Sequence, residues 1–398
     1  MDISSHPIWT QVTPYQTRIS VFKKPFHLIR IFLARQYAKL FSRQLFVGVT
    51  GSVGKTTCVL ACQAVLSKKF PTLSSQVSLD PILNIPLTIL KITPKIKKVI
   101  LEMGIEYPGE MDFYLSLVKP KTAIVTRIYF AHSEFLGGVE QIMAEKGKLV
   151  AQLPQDGLAI LNYDDIYTRK LKEATEAEVI YFGTDSKNCE VWAGNIKIED
   201  FKTIFELNYG VERVRVEYQL LGEHQVYPAL AAAALGISNG VPLIKIKNAL
   251  ESMTPADHRL QPIMGPNNSV ILDDTYNSSP AAACAAIDTL MKIPARRKII
   301  VLGEMKELGK YSDDLHREIA RKIYREKPDL VLLGGGSAQI IAEELKSLGF
   351  WEQSIESNLQ NSQIVAKLLK YLGKGDVCLI KGSRSVRLDE VVARVAKK

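Results

Sequence analysis

The 398-residue chain has no apolar run of transmembrane length, and its N-terminus lacks the apolar core and small-residue cleavage site of a secretory signal. A membrane-spanning chain and a cleaved secretory leader are therefore not expected. Cysteine is sparse: Cys58, Cys62, Cys189, Cys284 and Cys378 are scattered. Cys58 and Cys62 share a helix face, but no second ligand pair accompanies them. All five are expected to be reduced and mostly buried, as in a cytosolic protein, and not to bind metal. Acidic residues are nearly missing from the start of the chain. Residues 1–44 hold Arg18, Lys23, Lys24, Arg30, Arg35, Lys39 and Arg43 against one acid, Asp2, a net of +6 out of +9 for the whole chain. The basicity belongs to that segment and not to an extended nucleic-acid surface. Recognition motifs for DNA or RNA, internal repeats and low-complexity stretches are absent as well.

What is present is an α/β pattern in two parts. Residues 1–17 read as irregular. Phe26–Gln44 reads as a helix with Pro25 near its start, with Phe26, Ile29, Leu33, Tyr37 and Leu40 on one stripe and basic residues over the rest. From Leu45 onward short apolar strands alternate with helices. Strands are expected at Leu45–Val49, Val99–Glu102, Thr122–Thr126 and Leu158–Asn162, which make a mostly parallel, helix-flanked sheet. Residues 188–219 alternate in short steps and read as antiparallel hairpins, followed by an alanine-rich helix over Pro228–Leu235. A second α/β pattern begins near Thr254, with strands at Val270–Asp273, Lys298–Leu302, Leu330–Leu333 and Val377–Ile380. The expected organisation is a basic N-terminal segment (1–44), a central domain with a mostly parallel sheet (45–253), which the glycine-rich stretch Gly51-Ser52-Val53-Gly54-Lys55-Thr56-Thr57 marks as a P-loop ATP-binding domain, and a C-terminal Rossmann-like α/β domain (254–398).

The most informative stretch is Gly51-Ser52-Val53-Gly54-Lys55-Thr56-Thr57, between an apolar strand and the helical run Cys58–Leu66. Glycines there let backbone N–H groups close on phosphate oxygens. The lysine reaches the β/γ phosphates, and the Thr56 hydroxyl can ligand Mg²⁺. Val49 stands where the general pattern has its first glycine.

Further motifs accompany it in order: Pro86-Leu87-Thr88, Glu102-Met103-Gly104, Ala131-His132-Ser133-Glu134, Glu145-Lys146-Gly147, Gly222-Glu223-His224, Asp273-Asp274-Thr275-Tyr276-Asn277, Gly303-Glu304-Met305-Lys306-Glu307-Leu308-Gly309 and Lys381-Gly382-Ser383-Arg384-Ser385. Together they resemble the Mur ligases, ATP-dependent amide-forming enzymes of peptidoglycan synthesis, from about Leu45 to the C-terminus. The last three groups are similar to the branch that adds D-alanyl-D-alanine. Such chemistry suits the residues. Joining a carboxylate to an amine in water is uphill, so ATP first converts the carboxylate to an acyl phosphate, which the amine attacks. Phosphoryl transfer needs positioning and neutralisation of spreading charge.

The resemblance implies ATP and Mg²⁺ as cofactors and a muramoyl-peptide-like acid and a D-Ala-D-Ala-like amine as small-molecule substrates. It implies a catalytic set of Lys55, Glu102, His132 and Lys146. Metal would be held by Thr56, Glu102, His132 and Lys146, the lysine carried as a carbamate. Nucleotide contacts would come from Gly51, Ser52, Gly54, Lys55, Thr56, Thr57, His224, Arg259, Asp274 and Asn277, with Arg259 on the phosphates and Asp274 on the ribose. Lys381, Ser383 and Arg384 would face the incoming amine, whose carboxylate suits an arginine. Taken alone, Glu102 reads equally as a solvated strand-end acid, His132 as a structural histidine, Lys146 as a surface lysine, and Arg259 and Asp274 as salt-bridge residues.

Four features depart from the family pattern. The 44 residues before the first strand are too few for the UDP-sugar-holding domain of the family, which is therefore not expected. Asp80-Pro81-Ile82-Leu83-Asn84 replaces a polar Asn-Asn-Glu-Ile-Gly motif. Gln225 and Pro228 stand where the adenine pocket has asparagines, and Arg127 replaces another asparagine. An alternative acid substrate, including a lipid-linked one, and a non-catalytic membrane-associated nucleotide-binding module are the competing readings. The expected location is cytoplasmic, with peripheral contact at the inner membrane face through residues 26–44.

Overall fold

In a computed structural model the described residues are 3–9, 23–77 and 79–397. The expectations that concern Asp2, Arg18 and residues 10–17 lie outside them. The chain divides into two compact units. Met1–Ile196, Ile204–Tyr218 and Gln225–Met253 form the first, and Lys197–Thr203, Gln219–His224 and Thr254–Lys398 the second.

The first unit begins with two 3₁₀ turns, Ile3–Ser5 and Pro7–Trp9, which bury His6, Ile8 and Trp9, so this part of the N-terminus is ordered where an irregular segment was expected. Helix α1 (Lys24–Ala38) follows. It ends six residues earlier than the Phe26–Gln44 reading. The cause lies in Arg43, whose guanidinium donates to the carbonyls of Lys119 (3.2 Å), Pro120 (3.4 Å) and Gln152 (2.6 Å) and pins a short turn ahead of the first strand. Then come β1 (Phe46–Thr50), α2 (Lys55–Leu66), β2 (Thr72–Ser74), α3 (Pro81–Leu90), β3 (Lys98–Glu102), α4 (Glu110–Leu117), β4 (Thr122–Val125), α5 (Ser133–Leu136), α6 (Val139–Ala151), β5 (Leu158–Asn162), α7 (Ile166–Lys170), β6 (Glu178–Gly183), β7 (Val191–Glu199), β8 (Lys202–Tyr209), β9 (Glu212–Tyr218), α8 (Val226–Ser238) and α9 (Leu243–Glu251).

These strands make one nine-stranded sheet in the order β2-β3-β1-β4-β5-β6-β7-β8-β9. From β2 to β6 every pairing is parallel. Strand β1, all five residues buried, lies between β3 and β4. The chain leaving β1 runs to β2 on one side and the chain leaving the adjacent β4 runs to β5 on the other, and this switch point opens a crevice at the carboxyl ends of the strands. The apolar, β-branched strands are buried on both faces, as a helix-covered parallel sheet requires. The tight turn into β8 uses Asp200 and Phe201 with φ of +48° and +57°, the mark of a two-residue hairpin.

The second unit contains β10 (Gln261–Met264), β11 (Val270–Asp274), α10 (Pro280–Lys292), β12 (Lys298–Gly303), α11 (Ser312–Glu326), β13 (Leu330–Gly334), α12 (Ala338–Ser347), β14 (Ile355–Glu356), α13 (Asn361–Tyr371), β15 (Val377–Lys381) and α14 (Leu388–Val395). Its six strands run β10-β11-β15-β12-β13-β14, all parallel except the antiparallel edge strand β10. The loops after β11, β12 and β15 emerge side by side, because β15 is inserted between β11 and β12. The two-sheet α/β architecture is the one expected from the sequence.

Candidate active site

The glycine loop leaves β1 at the switch point. Gly51 has φ +144°, and a Cβ there would lie 2.0 Å from Thr126 Oγ1, so only glycine fits. Gly54 takes φ +78° and starts α2. Val49 lies inside β1 and is fully buried, which places the start of the loop after it and explains the missing glycine. The loop is held from below. Ser52 N–H donates to Arg127 O (2.6 Å), and Ser52 Oγ donates to Tyr129 O (2.7 Å) and accepts from Tyr129 N–H (3.0 Å). The Arg127 substitution thus leaves a backbone role intact. The N–H groups of α2's first turn add their partial positive charge to the cradle. Lys55 Nζ donates to Gly51 O (3.0 Å), and Gly104 lets the lysine stem pass, since a Cβ there would stand 3.2 Å from Lys55 Cε. Thr57, next along α2, is buried. Pro228, on α8, lies against Gly54, 3.6 Å from where its Cβ would be.

Beside the loop, Thr56 Oγ1 donates to Glu102 Oε1 at 3.1 Å. Glu102 is brought there by the β1–β3 register, in which it pairs with Val49, and its N–H is held by Ser75 Oγ (3.0 Å). His132 follows β4 with φ +55°, and its carbonyl caps the short α5. Lys146 lies on α6 and is 1% exposed, so it is no surface lysine. Burial, together with the Lys55 charge, holds its amine well below the ordinary lysine range, and the carboxylates of Glu110, Glu145 and Glu106 oppose this only in part. Its neighbours explain the motif. Glu145 Oε1 accepts from Gly109 N–H (2.8 Å) and Met111 N–H (3.3 Å) at the start of α4, and Gly147 gives room to Leu171, whose Cδ2 would meet a Cβ at 2.8 Å.

The donor set fits Mg²⁺. A hydroxyl and a carboxylate oxygen stand together next to a phosphate cradle, and Mg²⁺ takes few protein oxygens, keeping waters and phosphate oxygens as its other ligands. No group of three His, Cys, Asp or Glu side chains gathers into a metal cage among the described residues.

Sequence reasoning missed an acidic cluster next to Lys146. Glu110, 3% exposed, has Oε1 2.8 Å from His6 Nε2, and its Oε2 accepts from Glu106 N–H (2.6 Å). Burial and the Glu110 charge push the Asp80 carboxyl up to about 7, against the Ile82 N–H that it accepts at 2.8 Å. Asn84, at the end of the divergent motif, is buried and bonded to the backbone of Gln76 and Leu79, a structural role. No local pattern announces this cluster, since its members come from three separate segments.

The remaining expected residues belong to the second unit. His224 sits in the 3₁₀ turn Glu223–Gln225 beside Gly222 (φ +111°), whose N–H donates to Thr203 Oγ1 (2.9 Å). The Arg259 guanidinium stacks 4.0 Å over the Tyr276 ring. Asp274, the last residue of β11, accepts from Leu260 N–H (3.1 Å) and pairs with Lys381 Nζ at 2.6 Å. Lys381 is 2% exposed and also donates to Asn277 O (2.9 Å), so its ammonium is engaged with Asp274 and Asn277 and not with Ser383 or Arg384. Ser383 Oγ instead accepts from Lys306 N–H (2.9 Å), which ties the loop after β15 to the loop after β12. Arg384 pairs with Asp389 at 3.3 Å.

Comparison with known proteins bears on this geometry. The sequence matches the Mur ligase middle domain over residues 49–236 and the Mur ligase glutamate ligase domain over residues 258–384. It is 31% identical over 349 residues to the Escherichia coli (strain K12) UDP-N-acetylmuramoyl-tripeptide–D-alanyl-D-alanine ligase, covering 87% of this chain and 75% of that one. The Bacillus subtilis (strain 168) enzyme of the same name is 29% identical, with 90% and 78% covered. Among solved structures, MurF from Acinetobacter baumannii superimposes with a TM-score of 0.84 at 25% identity, covering 92% of this chain and 80% of that one. MurF ligase from Thermotoga maritima in complex with ADP gives 0.81 at 26% identity, with 92% and 83% covered. With both family domains in order on a fold that matches, the chain belongs to the Mur ligase family.

Proposed function

We propose that this chain is an ATP- and Mg²⁺-dependent amide ligase that joins D-alanyl-D-alanine to a muramoyl-peptide in peptidoglycan synthesis. The observation that supports the reading is the glycine loop with Lys55 and the Thr56–Glu102 pair beside it, together with the buried Lys146 on α6, whose amine is held below the ordinary lysine range by burial and the Lys55 charge. The peptide carboxylate attacks the γ-phosphorus of ATP and ADP leaves. The amine then attacks the acyl carbon, and phosphate departs as the amide forms. The loop N–H groups and Lys55 neutralise the charge that spreads over the transferring oxygens. Thr56 and Glu102 would hold Mg²⁺, with His132 and Lys146 nearby on the same unit. Mg²⁺ held there would supply further neutralisation of the phosphate charge. An uncharged amine is the form that adds CO₂, so the environment of Lys146 supports a carbamate there, an anion in place of a cation.

In the second unit, Arg259 is assigned to the nucleotide phosphates and Asp274 to the ribose. Lys381 holds Asp274 in place, and Ser383 and Arg384 are left for the amine substrate. Gly51, Ser52, Gly54, Thr57, His224 and Asn277 complete the nucleotide contacts. The domain limits 1–44, 45–253 and 254–398 belong to the same reading, as does a cytoplasmic location with membrane contact through residues 26–44. Purified protein, ATP, Mg²⁺ and D-Ala-D-Ala, offered a panel of UDP-muramoyl-tripeptides, should yield the pentapeptide by mass spectrometry. ATP turnover that ignores both substrates would overturn the proposal.

A further inference from the structure

Helix α1 wears its largest apolar side chains on the outside. Phe26, Ile29, Phe32 and Leu33 are 71%, 57%, 60% and 51% exposed, and Leu40, just past the helix end, is 76% exposed. The helix packs instead through Ile31, Ala34 and Ala38, which are buried, and through Tyr37, whose hydroxyl donates to Ile92 O (2.8 Å). At 100° per residue the four exposed side chains share one continuous arc, interrupted only by Gln36. Lys23 and Arg30 fall on one margin of that arc and Lys39 on the other. Arg35, further round, is tied to Ser116 Oγ at 2.8 Å. Scattered apolar residues on a surface are ordinary, whereas a row of four along one helix face is not.

The charge of the helix and its flanks selects the occupant. Residues 23–43 hold six basic residues and no acid. Two copies meeting through this face would bring their cationic margins together, which disfavours self-association. An anionic surface is favoured by the same charges. We propose that α1 docks flat on a bilayer containing anionic phospholipid. Phe26, Ile29, Phe32 and Leu33 enter the headgroup–acyl boundary, and Lys23, Arg30 and Lys39 meet the lipid phosphates. The helix lies on the membrane and does not cross it: no helix among the described residues is long and apolar enough to span one. This deepens the membrane contact in the functional reading above and rests on that part of it, not on the ligase chemistry.

The test is co-sedimentation of the purified full chain with vesicles of phosphatidylcholine containing about one-third phosphatidylglycerol, compared with phosphatidylcholine alone. The wild type should pellet with the anionic vesicles at low salt and largely release at about 0.5 M salt. The variant F26S/F32S/L33S should bind at least about tenfold more weakly, since three exposed apolar side chains are lost. K23Q/R30Q/K39Q should bind more weakly by a similar factor. V211S, which alters a fully exposed valine in the turn between β8 and β9 (102% exposed), should bind as wild type does. Ligation in solution, measured alongside, should be unchanged in every variant; a wild type that binds vesicles but does not ligate counts against the ligase reading alone. Wild type that stays in the supernatant, or an apolar-face variant that pellets equally well, would overturn the proposal. So would sedimentation velocity showing a dimer that F26S/F32S/L33S converts to monomer.

Discussion

Replacing Lys146 with methionine should make the protein more stable and its chemistry inert. The side chain is 1% exposed, and its amine is held well below the ordinary lysine range, first by burial and then by Lys55. The sign follows from linkage. The unfolded chain takes up the proton anywhere below about pH 10.4, while the folded chain resists it until well below that. The lysine therefore costs stability at neutral pH, and the cost shrinks toward zero as the pH rises to the unfolded value. Methionine has nearly the same volume and no proton to refuse. Replacing a buried ionisable group by a packed hydrophobe of similar size commonly stabilises by about 1–4 kcal/mol. For a unit of this size each kcal/mol moves Tm by about 2–4 °C. Lys146→Met should thus melt roughly 3–10 °C higher near pH 7 in CO₂-free buffer, with the gain shrinking toward pH 10. Ligation should fall by about a thousandfold or more if the group serves the metal-bound phosphates. Lys146→Ala should be similarly inactive and partly rescued by short carboxylates, which restore a mobile anion. Differential scanning calorimetry and a product assay on the same samples decide the matter. A Lys146→Met protein that melts lower than wild type, or that ligates normally, would refute the reasoning.

Three further outcomes follow from the same geometry. Lys55→Ala should abolish ligation by orders of magnitude, because it removes the cation over the phosphate loop, and near-normal product formation would dismiss that role. Gly51→Ala places a Cβ 2.0 Å from Thr126 Oγ1 at a backbone φ of +144°, so it should cost about 2–4 kcal/mol by chemical denaturation; an unchanged midpoint would count against the loop conformation. Asp80, pushed up to about 7, is penalised as it ionises, so its cost to stability is absent below about pH 4, grows up to about 7 and stays constant above. Asp80→Asn, which keeps the acceptor for Ile82 N–H, should stabilise by about 1–3 kcal/mol at pH 8 in metal-free buffer and by nothing near pH 4; a pH-independent difference would contradict the assignment.

The phosphate loop was legible in the sequence because its chemistry is local: glycines needed for backbone conformation, a lysine and a threonine at fixed offsets, between a strand and a helix. The place of Glu102 was legible as the last residue of an apolar strand, but its assignment to metal came only from the family resemblance. The environment of Lys146 was not. Its burial depends on α6 packing against α4, and a lysine with Lys148 two residues on looks like a surface residue. The cluster of His6, Asp80 and Glu110 was hidden in the same way. Helix α1 shows a subtler limit. Periodicity picks out the large apolar residues, yet the small Ala34 and Ala38 face the neighbouring helices and the phenylalanines point away. Its C-terminal limit is set by Arg43 bonding to carbonyls of distant segments, which no helix propensity encodes. In the second unit the four central strands were readable to within a residue, while the edge strands β10 and β14 were not read, and the pairing of Lys381 with Asp274 depends on the β11–β15 register, which joins residues more than a hundred positions apart.

The central claim is that this chain couples ATP cleavage to amide formation. Its most direct measurement incubates the protein with ATP, Mg²⁺, D-Ala-D-Ala and a UDP-muramoyl-tripeptide whose peptide carboxylate carries ¹⁸O, and follows the label by mass spectrometry. Activation through an acyl phosphate predicts one ¹⁸O in the released inorganic phosphate for each amide formed. Amide formation without label in the phosphate, or phosphate release without amide, would contradict it.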